Sequence, residues 1–202
     1  LNDRILLTAH WDTRPWADLD TEKKDKPFDG ADDGGSGVAV LLELARLTAQ
    51  SKLEKGVDMV FFDIEDYGQQ SGTGEAITED TWCLGSQYWA THLHKKDYFA
   101  KYAILLDMVG AKGAVFPKEG TSLAYAEGEV DKIWNIAANM GLGNYFTNES
   151  TGETTDDHLY VNKLANIKCI DIVHYEVGKH ISPYFHHAHS DNMSIIDRGT
   201  LK

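Results

Sequence analysis

The chain has 202 residues, of which 42% are hydrophobic and 25% charged, and its formal net charge is −13. These values are ordinary for a globular protein and allow one domain with a large core. An acidic chain without a cluster of lysines and arginines argues against binding to nucleic acid or an anionic membrane surface. No segment is long and apolar enough to span a bilayer. Cys83 and Cys169 are interpreted as unpaired thiols.

Apolar runs and amphipathic segments alternate along the chain. Strands are predicted over residues 5–9, 57–62, 102–108 and 167–173, and helices over residues 38–47, 85–94 and 130–140, the last with Gly141 as its C-terminal cap. Uninterrupted apolar strands are typical of a sheet that helices cover on both faces. We therefore expect an α/β fold, a three-layer αβα sandwich with a mixed, mostly parallel central sheet.

Long polar segments separate these elements, at residues 16–32, 69–81, 111–123 and 147–157. Loops of this length in a compact domain usually carry function. The segment 69–81 is rich in Gly, Thr and Ser, and we interpret it as flexible, with a mobile flap over a pocket as its candidate role. Without an internal repeat or an interdomain linker, we expect a single catalytic domain over residues 1–202, truncated at both ends.

Acidic and histidine side chains recur where the predicted strands end or a helix begins. They are His10 and Asp12, Asp32 and Asp33, Glu65 and Asp66, Asp107, and the histidines His186, His187 and His189. Each has an ordinary explanation: a His-x-Asp pair is typically on the surface, an Asp before a helix is typically its N-cap, and a His-rich run is often merely exposed. Recurrence at one edge of the sheet favours a shared site. Mixed carboxylate and imidazole ligands suit zinc.

The most informative pair is Glu65-Asp66, which closely follows the apolar run 59–62. Two charges at the end of a buried strand are costly unless something compensates them. A metal ion would compensate them and would give the two acids different roles, one as a ligand and one as a carrier of protons.

Several motifs, in their order, resemble the M28 metallopeptidase family and, within it, the bacterial type of glutaminyl cyclase. The matching segments are TAHWDTRPWAD (8–18), GADDGGSG (30–37), LLELAR (41–46), FDIEDYG (62–68), WCLGSQYW (82–89), LLDMVGA (105–111), TDDH (155–158) and residues 187–197. They extend over nearly the whole chain. The resemblance implies a zinc-exopeptidase-like fold.

The resemblance further implies that Asp33, Asp66 and His187 bind zinc. Asp66 stands where many relatives have Glu, which shortens the ligand arm and requires the backbone to lie closer to the metal. His187 precedes the aspartate of an Asp-Asn step by four residues, as in relatives. The alternatives for the histidine ligand are His186 and His189.

By the same resemblance, Glu65, Asp107 and Asp156 are the catalytic residues. The implied reaction is zinc-dependent cyclisation of the N-terminal glutamine of a peptide to pyroglutamate, with release of ammonia. Glu65 would move the proton, and Asp107 and Asp156 would form a hydrogen-bonded network around the reacting nitrogen. Zinc is the expected cofactor, one ion per chain.

Two alternatives come from other activities on the same fold. A zinc aminopeptidase would hold two ions, the second at the positions of His10 and Asp107 with Asp33 bridging. A non-catalytic M28-like module would only bind partners. The acid at the first position of Asp156-Asp157-His158, the match of segment 105–111, and the motifs around tryptophans 11, 16 and 82 favour the cyclase.

A cyclase needs a snug pocket that folds the substrate back on itself. The candidate walls, chosen because they lie near the motifs in the sequence, are Trp82, Tyr67 and Phe185; the alternative for each is ordinary core packing. His186 stands at the position where animal cyclases have a pocket tryptophan. The implied partners are peptides with N-terminal glutamine. The resemblance also implies a periplasmic or secreted protein.

Overall fold

The structure is a computed structural model that describes residues 3–69, 81–176 and 182–202. Residues 70–80, which make up nearly all of the predicted flap, lie outside the described residues. The elements in chain order are β1 (Arg4–His10), α1 (Gly35–Ala49), β2 (Gly56–Phe62), α2 (Leu84–Thr91), β3 (Ala103–Asp107), β4 (Phe116–Lys118), α3 (Gly120–Asn139), β5 (Phe146–Ser150), α4 (Asp157–Ala165) and β6 (Cys169–Val173).

Four strands form the central sheet in the order β2-β1-β3-β6, and each pairs with its neighbour in parallel. Because the strands are parallel, their carboxyl ends meet at one edge. His10 lies opposite Phe62 in the β1–β2 register, and Asp107 lies opposite Val173 in the β3–β6 register. The predicted site residues that follow strands are therefore brought to one edge of the sheet, as expected for this class of fold.

Helices cover both faces of this sheet. Alternate strand residues point to opposite faces. One face, with Leu7 and Leu106, packs with residues of α1 and α3 in one hydrophobic cluster. The other face, with Leu6 and Leu105, packs with residues of α2 and α4 in a second cluster. The predicted three-layer sandwich with a mostly parallel sheet is confirmed.

The predicted strands agree with the structure to within two residues at each end, but the helices differ more. α1 begins three residues before its predicted start, α2 ends three residues before its predicted end, and α3 begins ten residues early. Within α1, Leu41 is fully buried, whereas Leu42 and Leu47 are 58% and 44% exposed. Gly141 follows α3 with φ +77°, as a C-terminal cap requires.

Three elements were not predicted: β4 and β5, which fall almost entirely in segments expected to be polar loops, and α4, which begins at the last residue of such a segment. β4 and β5 form a separate two-stranded parallel sheet. β5 is polar and mostly exposed, so it has no apolar alternation to detect. The first six residues of α4 are all buried, so its sequence lacks the alternation of polar and apolar faces by which an amphipathic helix is recognised. Within the described ranges, no helix is both long enough and apolar enough to cross a membrane.

Glu119 is a buried carboxylate that joins the start of α3 to the segment before α4. Its Oε1 accepts hydrogen bonds from the backbone N–H groups of Thr121 and Thr154, at 2.7 and 2.8 Å. Its Oε2 accepts from the N–H and hydroxyl of Ser122 and lies 2.9 Å from His158 Nε2. Burial alone would raise the pKa of Glu119, but the hydrogen bonds from His158 and the backbone lower it to about 2.

Replacing Glu119 by Gln is expected to lower the free energy of unfolding at pH 7 by about 2–4 kcal/mol, because the amide group faces donors that then lack an acceptor. The carboxylate of Glu119 stabilises the fold fully above its ordinary pKa of 4.5, and this contribution is lost as the pH falls towards about 2. The difference between the two proteins should therefore narrow over that range. Urea denaturation at several pH values measures the free energy of unfolding of each protein. Glu127→Gln, on the exposed side of α3, is the control. An equal effect of both substitutions would contradict the role of Glu119.

Candidate active site

A cavity of about 210 Å³ lies at the carboxyl edge of the sheet. Its lining includes the three predicted zinc ligands, the three predicted catalytic residues and two of the predicted pocket residues: Asp33, Asp66 and His187; Glu65, Asp107 and Asp156; Trp82 and His186. Residues that are far apart in the sequence thus surround one small space. Their roles remain predictions, but their proximity is a feature of the structure.

Tyr67 and Phe185, the other two predicted walls, do not line this cavity. Phe185 is 2% exposed and packs in a hydrophobic cluster with Met108 and Val173. Tyr67 is 58% exposed, and its ring centre lies 5.7 Å from that of Trp16. Closeness in sequence to the site motifs was the reason for both predictions, and it does not determine which way a side chain points.

The three predicted ligands lie close to one another, and Asp33 belongs to two groups of potential ligand atoms: one with His186 and His187, the other with His10 and Asp66. His187 Nε2 is 2.8 Å from Asp66 Oδ1 and 3.7 Å from Asp33 Oδ2. Asp33 Oδ2 and Asp66 Oδ2 are buried and have no hydrogen-bond partner in the described part of the chain. Two unsatisfied carboxylate oxygens next to an imidazole nitrogen are a donor set that suits Zn²⁺. These residues therefore fit the implied metal.

Burial opposes the ionised form of both acidic ligands, Asp33 and Asp66. Burial and repulsion from Asp66 raise the pKa of Asp33 well above its ordinary value. Burial opposes ionisation of Asp66 as well, but His187 more than offsets this, and the pKa of Asp66 is lowered. A divalent cation stabilises the ionised form of every carboxylate that binds it.

Asp33 faces the cavity because other groups hold its backbone. The carboxylate of Asp191 accepts hydrogen bonds from the N–H groups of Asp32 and Asp33, at 2.8 and 3.1 Å. The carboxylate of Asp32 in turn accepts from the N–H of Gly110 at 2.6 Å. The N-cap of α1 is Gly34, with no side-chain cap, so the N-cap interpretation of Asp32 and Asp33 is wrong. Asp191 was only a spacing marker in the sequence, and its bonding role depends on the fold.

Asp12 and His10 support the site from the end of β1. Asp12, one of the candidate ligands, accepts hydrogen bonds from the N–H groups of Glu65 and Asp66, both at 3.1 Å, and so holds the turn that carries them. His10 is 1% exposed, which rules out the surface-pair interpretation. Its Nε2 lies 3.1 Å from Asp107 Oδ1 and 3.2 Å from Asp33 Oδ1.

Glu65 is in the environment that a proton carrier needs. Its side chain is buried, and its Oε1 accepts a hydrogen bond from the thiol of Cys83 at 3.2 Å. Burial, together with repulsion from Asp66 and Asp156, raises the pKa of Glu65 well above the ordinary value. A raised pKa brings a carboxyl closer to the pH at which it can both accept and deliver a proton.

Asp156 is held in the cavity by the start of α4. It is the N-cap of that helix and accepts a hydrogen bond from the N–H of Asp157. Burial and repulsion from Asp107 raise its pKa to about 6. Asp156 also lies close to His158 and Asp171. Each of these three residues has one polar atom within 4.8 Å of a polar atom of the other two. Sequence reasoning assigned no role to His158 or Asp171, which act behind the cavity wall.

The two alternative histidine ligands differ in position. His186 lies with Asp33 and His187 in one group of potential ligand atoms, and its Nε2 is 3.9 Å from Asp33 Oδ2. Burial and repulsion from His187 lower the pKa of His186 to about 3, so its imidazole is neutral. His189 instead pairs through Nδ1 with Asp20 at 2.9 Å and does not line the cavity.

Comparison with known proteins identifies the family of this chain. The family model for peptidase family M28 matches residues 2–202, and the chain belongs to that family. The chain is similar to a crystal structure of Porphyromonas gingivalis glutaminyl cyclase, with 48% identity, a TM-score of 0.92 and coverage of 99% of this chain and 69% of that one. It is also similar to Bacteroides thetaiotaomicron glutaminyl cyclase bound to N-acetylhistamine, with 46% identity, a TM-score of 0.96 and coverage of 99% and 69%.

Aminopeptidases are among the similar proteins as well. A leucine aminopeptidase precursor from Bacteroides thetaiotaomicron is 46% identical, with a TM-score of 0.95 and coverage of 100% of this chain and 68% of that one. Aminopeptidase YwaD of Bacillus subtilis is 29% identical over 109 residues, which are 54% of this chain and 18% of that protein. The chain thus spans under a fifth of the length of that curated relative.

Both cysteines are buried free thiols, as predicted. Burial raises the pKa of each, with further repulsion from Glu65 at Cys83 and from Asp171 at Cys169. Because the thiolate is the reactive form, neither should react with Ellman's reagent in the folded protein at pH 8, and both should react after unfolding without a reductant. Ser51→Cys, at an exposed position, provides a reactive control. Rapid reaction of the folded protein, or fewer than two thiols after unfolding, would contradict this.

Proposed function

We propose that this chain carries a zinc-dependent glutaminyl-peptide cyclotransferase, which converts the N-terminal glutamine of a peptide to pyroglutamate and releases ammonia. The observation that carries the proposal is the small cavity in which Glu65, Asp107 and Asp156 face the cluster of Asp33, Asp66 and His187. The similarity to glutaminyl cyclases over 99% of the chain supports it.

The size of the cavity favours one small group as the substrate moiety. Its volume of about 210 Å³ is below the range of about 300–1,000 Å³ that is usual for ligand pockets. A single folded-back residue is a group of this kind. Trp82 provides an aromatic wall, and its ring lies parallel to that of His187, with 6.1 Å between the ring centres. Holding the α-amine against the side-chain amide is a proximity effect, which can supply much of the rate enhancement.

The cyclisation requires one proton to move while one bond forms and another breaks. The α-amine nitrogen attacks the side-chain amide carbon, and the carbon–nitrogen bond to the amide NH₂ breaks. Glu65 takes a proton from the attacking amine and delivers one to the departing ammonia, a role for which its raised pKa suits it. Asp107 and Asp156 accept hydrogen bonds from the reacting nitrogens. When bound by Asp33, Asp66 and His187, zinc supplies Lewis-acid polarisation of the amide carbonyl.

A second candidate function is a zinc aminopeptidase. His10 Nε2 lies within 3.2 Å of both Asp33 and Asp107, so the residues that the resemblance assigns to a second zinc are also together. The ligand inventory therefore does not separate a mononuclear cyclase from a dinuclear peptidase. The substrate does, because cyclisation needs an N-terminal glutamine and no water.

The proposal is tested by measuring ammonia release from a peptide with N-terminal glutamine, beside hydrolysis of a leucine-based chromogenic substrate. We expect ammonia release, little hydrolysis and one zinc per chain by elemental analysis. Hydrolysis of the leucine substrate without cyclisation, with two zinc ions per chain, would establish the aminopeptidase instead. A protein with no metal and no turnover would indicate a module that only binds partners.

Substitutions separate metal binding from proton transfer. Glu65→Gln should leave zinc bound but lower kcat by about 10²–10⁴-fold, since the amide cannot accept a proton. Asp33→Ala and His187→Ala should instead lose the metal. Zinc content and ammonia release are measured on the same preparations, with Glu54→Gln at an exposed position as the control. Retained turnover in Glu65→Gln would remove Glu65 from the proton-carrying role.

The partners and the location follow from the proposed activity and the resemblance. We propose peptides with N-terminal glutamine as substrates and a periplasmic or secreted protein. Cell fractionation with an antibody tests the location, and recovery only in the cytoplasm would contradict it.

A further inference from the structure

Arg14 is a buried charge that the proposed reaction does not use. It lies in the loop after β1 and is 1% exposed, and a buried guanidinium requires partners. Its Nε and Nη2 donate to the two carboxylate oxygens of Asp18 at 2.8 and 2.7 Å. The Asp18 side chain is itself 2% exposed. The two residues form a bidentate pair next to the proposed zinc site.

The remaining donor group of Arg14 binds the turn that carries Asp66. Nη1 donates to the carbonyl oxygen of Asp66 at 2.9 Å and to that of Gly68 at 3.3 Å. On the other side of the same residue, Asp12 accepts the N–H of Asp66. The backbone of Asp66 is thus held at both its N–H and its C=O. This matters because Asp has a shorter arm than Glu, so the backbone must be placed accurately for the carboxylate to reach a metal.

Asp18 faces the other proposed ligand, His187. Asp18 Oδ1 lies 3.6 Å from His187 Nδ1, which is within ion-pair range but longer than a hydrogen bond. The opposite ring nitrogen, Nε2, points to Asp66 and Asp33. The backbone is connected as well, since the N–H of Leu19 donates to the carbonyl of His187 at 3.3 Å. A carboxylate at Nδ1 favours the tautomer that leaves Nε2 free to bind a metal.

Trp82 completes the support of the His187 ring. The two rings are parallel within 5°, and the guanidinium carbon of Arg14 lies 4.7 Å from the centre of the Trp82 ring. His187 also has φ +51°, in the left-handed region that a histidine seldom adopts. Such a conformation persists only where the surroundings hold it. Asp18 at Nδ1 is part of those surroundings, together with the rings of His186 and Trp82, which both line the cavity.

We propose that Arg14 and Asp18 are positioning residues for zinc: Asp18 sets the orientation and tautomer of His187, and Arg14 fixes both Asp18 and the backbone of Asp66. This inference rests on the zinc site of the proposed function. Residues that orient metal ligands in this way typically change metal affinity about 10-fold to 100-fold when they are replaced. A purely structural pair would change stability and leave the affinity of folded protein for zinc unchanged.

The test compares zinc affinity with stability in three variants. Asp18→Asn removes the charge that faces His187, but it leaves Arg14 buried without its ionic partner and can therefore impair folding. The double variant Arg14→Met with Asp18→Ala removes both charges and leaves neither unpaired. Asp25→Asn, in an exposed acid of the same loop, is the matched control. The zinc dissociation constant is measured by chelator competition, and thermal unfolding of the metal-free proteins reports stability.

We expect Asp18→Asn and the double variant to bind zinc about 10-fold to 100-fold more weakly, with Asp25→Asn within about 2-fold of the unaltered protein. The double variant should be at least as stable as Asp18→Asn, so that its weak zinc binding cannot be attributed to unfolding. Unchanged zinc affinity in a folded double variant would overturn the proposal. If the unaltered protein binds no zinc, the proposed function fails, and this inference fails with it.

Discussion

The structure depends on one constraint: several carboxylates lie together at one edge of a parallel sheet, and other groups must offset the cost of burying them. Asp33, Glu65, Asp66, Asp107 and Asp156 are all less than 9% exposed and line one small cavity. Burying several carboxylates together is strongly unfavourable unless hydrogen bonds, cations or protons offset the cost. Much of the surrounding structure supplies such an offset, and the way in which each acid is compensated indicates what it does.

Five acids at or near the site can be divided into two groups by this criterion. In the first group, the carboxylate oxygens of Asp12, Asp191 and Glu119 accept hydrogen bonds from backbone N–H groups. These acids therefore hold turns and helix starts. Asp33 and Asp66 each retain a buried oxygen that has no hydrogen-bond partner among the described residues. An acid whose oxygens are satisfied fixes the backbone, whereas one whose oxygen is unsatisfied and faces a cavity is available to a metal or a substrate. The sequence shows the same residue type in both groups.

Sequence reasoning succeeded where a local pattern reports directly on the fold. The four central strands are apolar runs, and His10, Asp66 and Asp107 end or closely follow strands whose carboxyl ends must converge. It failed where the determinant is tertiary. α3 begins early because Glu119 caps it with help from His158, which comes 39 residues later. β5 and α4 lack the expected periodicity. Tyr67 and Phe185 adjoin site motifs but point elsewhere, and Arg14 owes its importance to carbonyls more than 50 residues away.

Asp66 stands where many relatives have Glu, and its shorter side chain makes the position of its backbone depend on neighbouring residues. An aspartate carboxylate reaches about one methylene less far than a glutamate, so the loss must be made up by the backbone. The N–H of Asp66 is held by Asp12, and its C=O by Arg14. Both of these residues belong to the loop after β1, and this loop also brings Asp18 to His187. One loop therefore contacts two proposed ligands that lie 121 residues apart in the sequence. Any change that shifts Asp12, Arg14 or Asp18 would move both proposed ligands together, although none of these three residues is itself one of the proposed ligands.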